Sequence, residues 1–120
     1  MKKLLMYAII VLTSSQTILA GEGDIGPVVI ERLAIIATAT GGHIAGNMEI
    51  KIKNGFTLPA GVSCDKNFIT TKKTTDPDRA MFDLLLKAKG TPQLVFLRIT
   101  DNPALKAFAG RCSLEIVDLR

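Results

Sequence analysis

The residues of this chain best suited to chemistry are one histidine, His43, and two cysteines, Cys64 and Cys112. His43 sits among glycines in the stretch T-G-G-H-I-A-G. A general base there would need a nucleophile to activate and an acid to orient its ring, and no sequence pattern identifies either. The plainer reading, which we take, is an exposed loop residue. Two cysteines about 48 residues apart, with a single histidine and no C-x-x-C, supply neither a tetrahedral zinc set nor a redox pair. Asp76 and Asp78 could mark a cation site, but no calcium-loop pattern follows them and helix capping explains both. Ser63 and Ser113 adjoin the cysteines and lie in no G-x-S-x-G elbow, and the glycines form neither G-x-x-x-x-G-K nor G-x-G-x-x-G. No catalytic residue, metal ligand or cofactor site is therefore expected, and the chain reads as a binding protein rather than an enzyme.

The start of the chain bears on where the two thiols work. Lys2 and Lys3, an apolar run of about nine residues from Leu4 to Leu12, and Ile18-Leu19-Ala20 together have the form of a secretory signal peptide over residues 1–20. The run is short of the roughly 20 residues that span a bilayer, so no stable membrane span is expected after cleavage. Residues 21–120 are then a single exported domain, periplasmic or secreted. An oxidising compartment favours a Cys64–Cys112 disulfide, which in the loop-entropy account contributes about 4 kcal/mol. The net charge of +4 falls to about +2 once Lys2 and Lys3 are removed. Lys72-Lys73 is the only adjacent basic pair left and has no aromatic residues interleaved with it, so nucleic acid is not an expected partner.

Gly21 to Gly26, glycine-rich and acidic, reads as a loose leader. Val28 to Thr38 is rich in β-branched residues and long enough for one strand, with a bend or bulge to reconcile its two parities. Met48 to Lys53 alternates cleanly, with Met48, Ile50 and Ile52 toward a core and Glu49, Lys51 and Lys53 toward water. Asn54-Gly55 is a tight-turn pair, Phe56 could open a return strand that Pro59 interrupts, and the third main strand falls at Asn67 to Lys72. A helix over Pro77 to Lys89 follows from Asp76 as N-cap, Pro77 at the first helical position, an apolar stripe that includes Leu84 and Leu85, and Gly90 as C-cap. Leu94 to Ile99 is a fourth strand and Arg111 to Leu119 a fifth, with Cys112, Leu114 and Ile116 on one face.

Five strands with one helix between the third and fourth is the order of the OB-fold, a small Greek-key barrel, so the expected class is mainly β with one helix. A plain α+β sandwich with the helix on one sheet face is the alternative. An OB barrel presents ligands to its second and third strands and to the loops joining strands one to two and four to five, here Thr38 to Gly46 and Thr100 to Gly110. In the first of these loops Thr38, Thr40 and His43 suit hydrogen bonding to a sugar, in a composition that ordinary turns share.

Pro27-Val28-Val29-Ile30 opening the first strand, Cys64 before the helix, Lys89-Gly90-Thr91-Pro92 closing it, the strand Leu94 to Ile99 and the late Cys112 give a layout that resembles the pentamer-forming B subunits of bacterial toxins, in the subtilase-cytotoxin, typhoid-toxin and pertussis-like branch. The resemblance implies carbohydrate binding, a homopentamer whose neighbours pair edge strands around a pore lined by helices, and a toxin catalytic subunit as partner. Sialic-acid-binding members contact the sugar through a serine just before the first-strand V-V-I run, where this chain has Gly26 and Pro27, so that role does not carry over. A competing expectation is a monomeric periplasmic OB-fold protein, structural or stress-related, that binds no glycan; a more distant one is a secreted enzyme inhibitor.

Overall fold

The computed structural model describes residues 20–120, so the expected signal peptide over residues 1–20 lies, apart from Ala20, outside the described residues. Six strands form: β1 (Glu22–Val28), β2 (Ile30–Ile36), β3 (Asn47–Ile52), β4 (Phe68–Thr71), β5 (Val95–Thr100) and β6 (Ser113–Leu119). One helix, α1 (Ala80–Ala88), falls between β4 and β5, and a 3-10 turn spans Pro103–Leu105. The strands make two antiparallel sheets, β1-β5-β6 and β2-β3-β4. The architecture is mainly β with one helix, but in six strands and two sheets rather than one closed barrel of five.

The extra strand comes from a change of partner within the expected first strand, and a parity conflict is settled just before it. Ile25 and Ile30 are both buried, yet their odd spacing would put them on opposite faces of an unbroken strand. The chain resolves this by a one-residue register slip between Ile25 and Val28, after which Val28 and Ile30 both face the core; Val29 between them is exposed and belongs to neither sheet, Val28 pairing with Val95 of β5 and Ile30 with Ile52 of β3. Gly26 permits the close approach before the break, since at its φ of 139° a Cβ would stand 2.7 Å from the Phe96 ring and 2.9 Å from Val95 O. The expected loose leader is instead β1. Gly21 N donates to Asp101 Oδ1 at 2.7 Å, and Arg98 holds Glu22 and Asp24 at 3.0 and 3.2 Å, so polar partners distant in sequence order this segment.

Closure into a barrel stops between β4 and β6. They meet at one parallel bridge, Ile69 to Cys112, with Thr70 N donating to Cys112 O at 3.0 Å. Hydroxyls then replace ladder bonds: Leu114 N donates to Thr71 Oγ1 at 3.1 Å, and Ser113 Oγ to Thr70 O at 3.3 Å. The Cys64–Cys112 disulfide forms and ties the same region, its Cα atoms 5.6 Å apart. Both sheets turn Met48, Ile50, Ile69, Leu97, Ile99 and Leu114 into one core, each at most 1% exposed.

The helix is shorter than expected because Arg79 adopts a left-handed φ of 57° just before it. Asp76 still serves its free N–H groups, accepting from Met81 N and Phe82 N at 3.1 Å each. Leu85 is buried, whereas Leu84 is 37% exposed, so the apolar stripe is narrower than its spacing suggests. In β6 a register shift at Glu115 turns Ile116 outward, although Leu114 points inward. No strand forms at Phe56. Among the described residues no helix is long and apolar enough to cross a membrane.

Candidate functional site

Loop 37–46, between β2 and β3, folds back on itself: His43 N donates to Thr40 O at 2.9 Å, with Gly41 and Gly42 at positive φ between them. Gly42 also lets the loop lie on Phe108, whose ring would be 3.1 Å from a Cβ at that position. This turn carries the His43 ring onto Phe108, centroids 4.6 Å apart, and leaves its side chain 12% exposed rather than free in solvent. Thr38 and Thr40, the other expected ligand residues, remain exposed on the same loop.

Beneath His43 lies Glu49, which strand alternation assigns to water but whose side chain is only 6% exposed. Its Oε1 is 2.7 Å from Arg111 Nη1 and 3.5 Å from His43 Nε2, and its Oε2 is 3.3 Å from Arg32 Nη2. A lone buried carboxylate would be costly, and the two arginines make it tolerable. Arg111, just before β6, is 15% exposed; it also donates to Thr70 Oγ1 at 3.2 Å and lies over the rings of Phe68 and Phe108, at 4.4 and 3.9 Å. Arg32 is 58% exposed and forms the open side of the cluster.

The second expected loop is drawn to the same place. Asn47 Nδ2 donates to Ala107 O at 3.1 Å, Ser113 Oγ to Leu105 O at 2.6 Å, and Asn102 Oδ1 accepts from Ala104 N at 3.0 Å. The two loops therefore meet over β3 and β4, around a cluster of which sequence reasoning found only His43. Glu49, Arg111, Arg32, Phe68 and Phe108 were missed, because nothing local marks them: Glu49 and Arg111 are 62 residues apart.

Each Glu49 oxygen faces a basic side chain, and His43 contacts Asn47 and Glu49 rather than a hydroxyl or thiol, so the cluster lacks the nucleophile–base pair of acyl-transfer chemistry. No group of three metal-ligating side chains gathers among the described residues. What the face offers is an exposed guanidinium, half-buried rings and loop hydroxyls, groups that bind by hydrogen bonding and stacking.

Two clefts lie elsewhere. One of about 340 Å³ on sheet β1-β5-β6 is lined by Asp24, Phe96, Arg98, Ile116, Asp118 and Arg120. Its charges neutralise one another: Arg98 engages Glu22 and Asp24, while Arg120 binds Asp118 at 2.9 Å and covers Phe96 at 4.0 Å. Beside it, partial burial and then Glu22 push the Glu115 carboxyl above its ordinary range, whereas hydrogen bonds to Arg98 and then Glu115 hold Glu22 below. The other cleft, of about 460 Å³ along Pro27, Phe56 and Leu58, has Asp24 as its one titratable side chain. The chain matches no family model, no curated protein and no solved structure.

Proposed function

We propose that the mature chain is an exported, non-catalytic binding protein of OB-like layout, resembling a toxin B subunit, that takes a glycan or partner protein on the face between loops 37–46 and 101–112. The observation that carries this reading is the convergence of both loops on β3 and β4, with Arg32, Phe68, Phe108 and Thr40 accessible around the Glu49 cluster. The OB-like layout draws support from the pairing order: with β1 and β2 taken as halves of one bent strand, neighbours run β2-β3-β4, across the Ile69–Cys112 bridge to β6, then β5 and β1.

A ring of copies, five by the resemblance, would cover what one chain leaves open. Among the described residues β2 pairs only with β3, so its outer edge is left unpaired there, and Val29, Leu86 and Leu94 are exposed. The alternative, a monomeric periplasmic OB-like protein without a glycan ligand, is favoured by a different observation: Glu49, Arg111 and His43 are partners of one another within the chain. Light scattering of the oxidised mature chain at tens of micromolar, with a broad glycan array, separates the two. A closed oligomer retaining glycans, with retention weakened by Arg32→Ala, supports the proposal. A strict monomer with no glycan retention overturns it in favour of the alternative.

A further inference from the structure

We propose that His43 and Asn47 form a proton-operated latch between loop 37–46 and loop 101–112, closed while the imidazole is neutral and released when it gains a second proton. The inference does not depend on the identity of the ligand. Asn47 is fully buried, and its side chain stands between two groups: Nδ2 is 3.1 Å from Ala107 O and 3.3 Å from His43 Nδ1. A carbonyl oxygen only accepts, so Ala107 assigns the amide nitrogen to that position; the flipped amide would set two acceptors against each other. With Nδ2 placed, its second hydrogen points to His43 Nδ1, which must accept. The ring proton then sits on Nε2, toward Glu49 Oε1 at 3.5 Å. Both donors of the amide are used, and Asn47 Oδ1 has no hydrogen-bond partner among the described residues.

A second proton on the imidazole turns Nδ1 into a donor facing a donor. The amide can rotate to offer Oδ1 to the ring, but Oδ1 then meets Ala107 O. No orientation of Asn47 satisfies the charged ring and Ala107 together, so protonation releases the Asn47–Ala107 tie. The elements packed against the ring carry charge of both signs. Glu49 is the anion facing His43 and already holds Arg111 and Arg32, so the imidazolium is a third cation on one carboxylate. Lys73, packed against Gly46, and Arg79, whose Nη2 donates to Gly46 O at 2.8 Å, add positive charge at the end of the same loop, and Lys106 adds it on the facing one. Phe108 attracts an imidazolium weakly, while its ring also contacts the Arg111 guanidinium. Loop 101–112 keeps its Leu105 and Arg111 anchors, so the loosening centres on Ala107 and Phe108.

The test is a nuclear magnetic resonance titration of the oxidised mature chain from about pH 8 to about pH 5, the span in which imidazoles change charge. Long-range ring correlations should report the Nε2–H tautomer at the upper end. The Asn47 side-chain amide and the Ala107 and Phe108 backbone amides should shift with the same midpoint as the His43 ring. Exchange protection of the Arg111 amide, which donates to Phe108 O at 3.1 Å, should fall about tenfold across it, relative to Ile69. His43→Phe, which keeps a ring against Phe108, should abolish the transition. An Nδ1–H tautomer at neutral pH, loop signals indifferent to the His43 titration, or an unchanged transition in His43→Phe would each overturn the latch. The first two are read on the unmodified protein, so the test stands even if the variant does not fold.

Discussion

Replacing Glu49 with alanine should destabilise the fold by about 3 to 5 kcal/mol, a large part of the roughly 5 to 15 kcal/mol that holds a domain together. The loss falls mainly on Arg111. Its guanidinium is 15% exposed, and its remaining contacts, Thr70 Oγ1 at 3.2 Å and the two phenylalanine faces, carry no negative charge. Arg32, at 58% exposed, is rehydrated when Glu49 is removed, so Arg32→Ala should cost under about 1 kcal/mol. Arg111→Ala should approach the cost of Glu49→Ala, since it strands the carboxylate and removes packing from two rings. The two substitutions disrupt one ion pair, so the double variant should be more stable than their sum predicts, by about 1 to 3 kcal/mol. Urea melts with linear extrapolation on the wild type, the three single variants and the double variant measure every term, provided the m-values agree. If all three single variants lie within about 0.5 kcal/mol of the wild type, Glu49 behaves as the surface charge that alternation suggested, and the buried cluster is wrong.

Leu85→Ala should cost about 2 to 5 kcal/mol and Leu84→Ala under about 1 kcal/mol, because only Leu85 is buried by the single chain; equal losses in urea melts would contradict this division and show Leu84 covered in solution. The Glu115 carboxyl is raised in the folded state, so its contribution is present below the ordinary carboxylate range and lost as pH rises through the raised value, whereas that of Glu22, held low, is present above the ordinary range and lost on acidification. Glu115→Gln should therefore leave the melting temperature unchanged near about pH 3 and raise it near about pH 7, and a difference that does not vary with pH refutes the pairing of Glu115 with Glu22.

The parts of this fold legible in the sequence are those decided within a few residues. Met48, Ile50 and Ile52 alternate and are buried; Asp76 faces the free N–H groups of the helix; two thiols in an otherwise cysteine-free chain join. Alternation, however, is a relative signal, and one inserted residue inverts it. Counting from Cys112 places Leu114 correctly and Ile116 wrongly, because Glu115 is unpaired between them. The same happens in β1, where one extra residue between Ile25 and Val28 lets Ile25, Val28 and Ile30 all face the core.

The candidate site escapes sequence reading for a related reason. A charged residue on an alternating strand is assigned to water on the assumption that its face is open, and that assumption concerns the rest of the chain. Glu49 is buried because Arg111, Arg32 and His43 arrive from three other segments, and His43 turns inward because Gly42 lets its loop lie on Phe108. Each of these residues alone has an ordinary surface role. Only the strand pairing brings them together: β4 lies beside β3 and touches the segment before β6, so Thr70, Phe68 and Arg111 stand over Glu49. That two loops converge on β3 and β4 could thus be read from the order of strands, while the direction in which their side chains face depended on contacts that no local pattern contains.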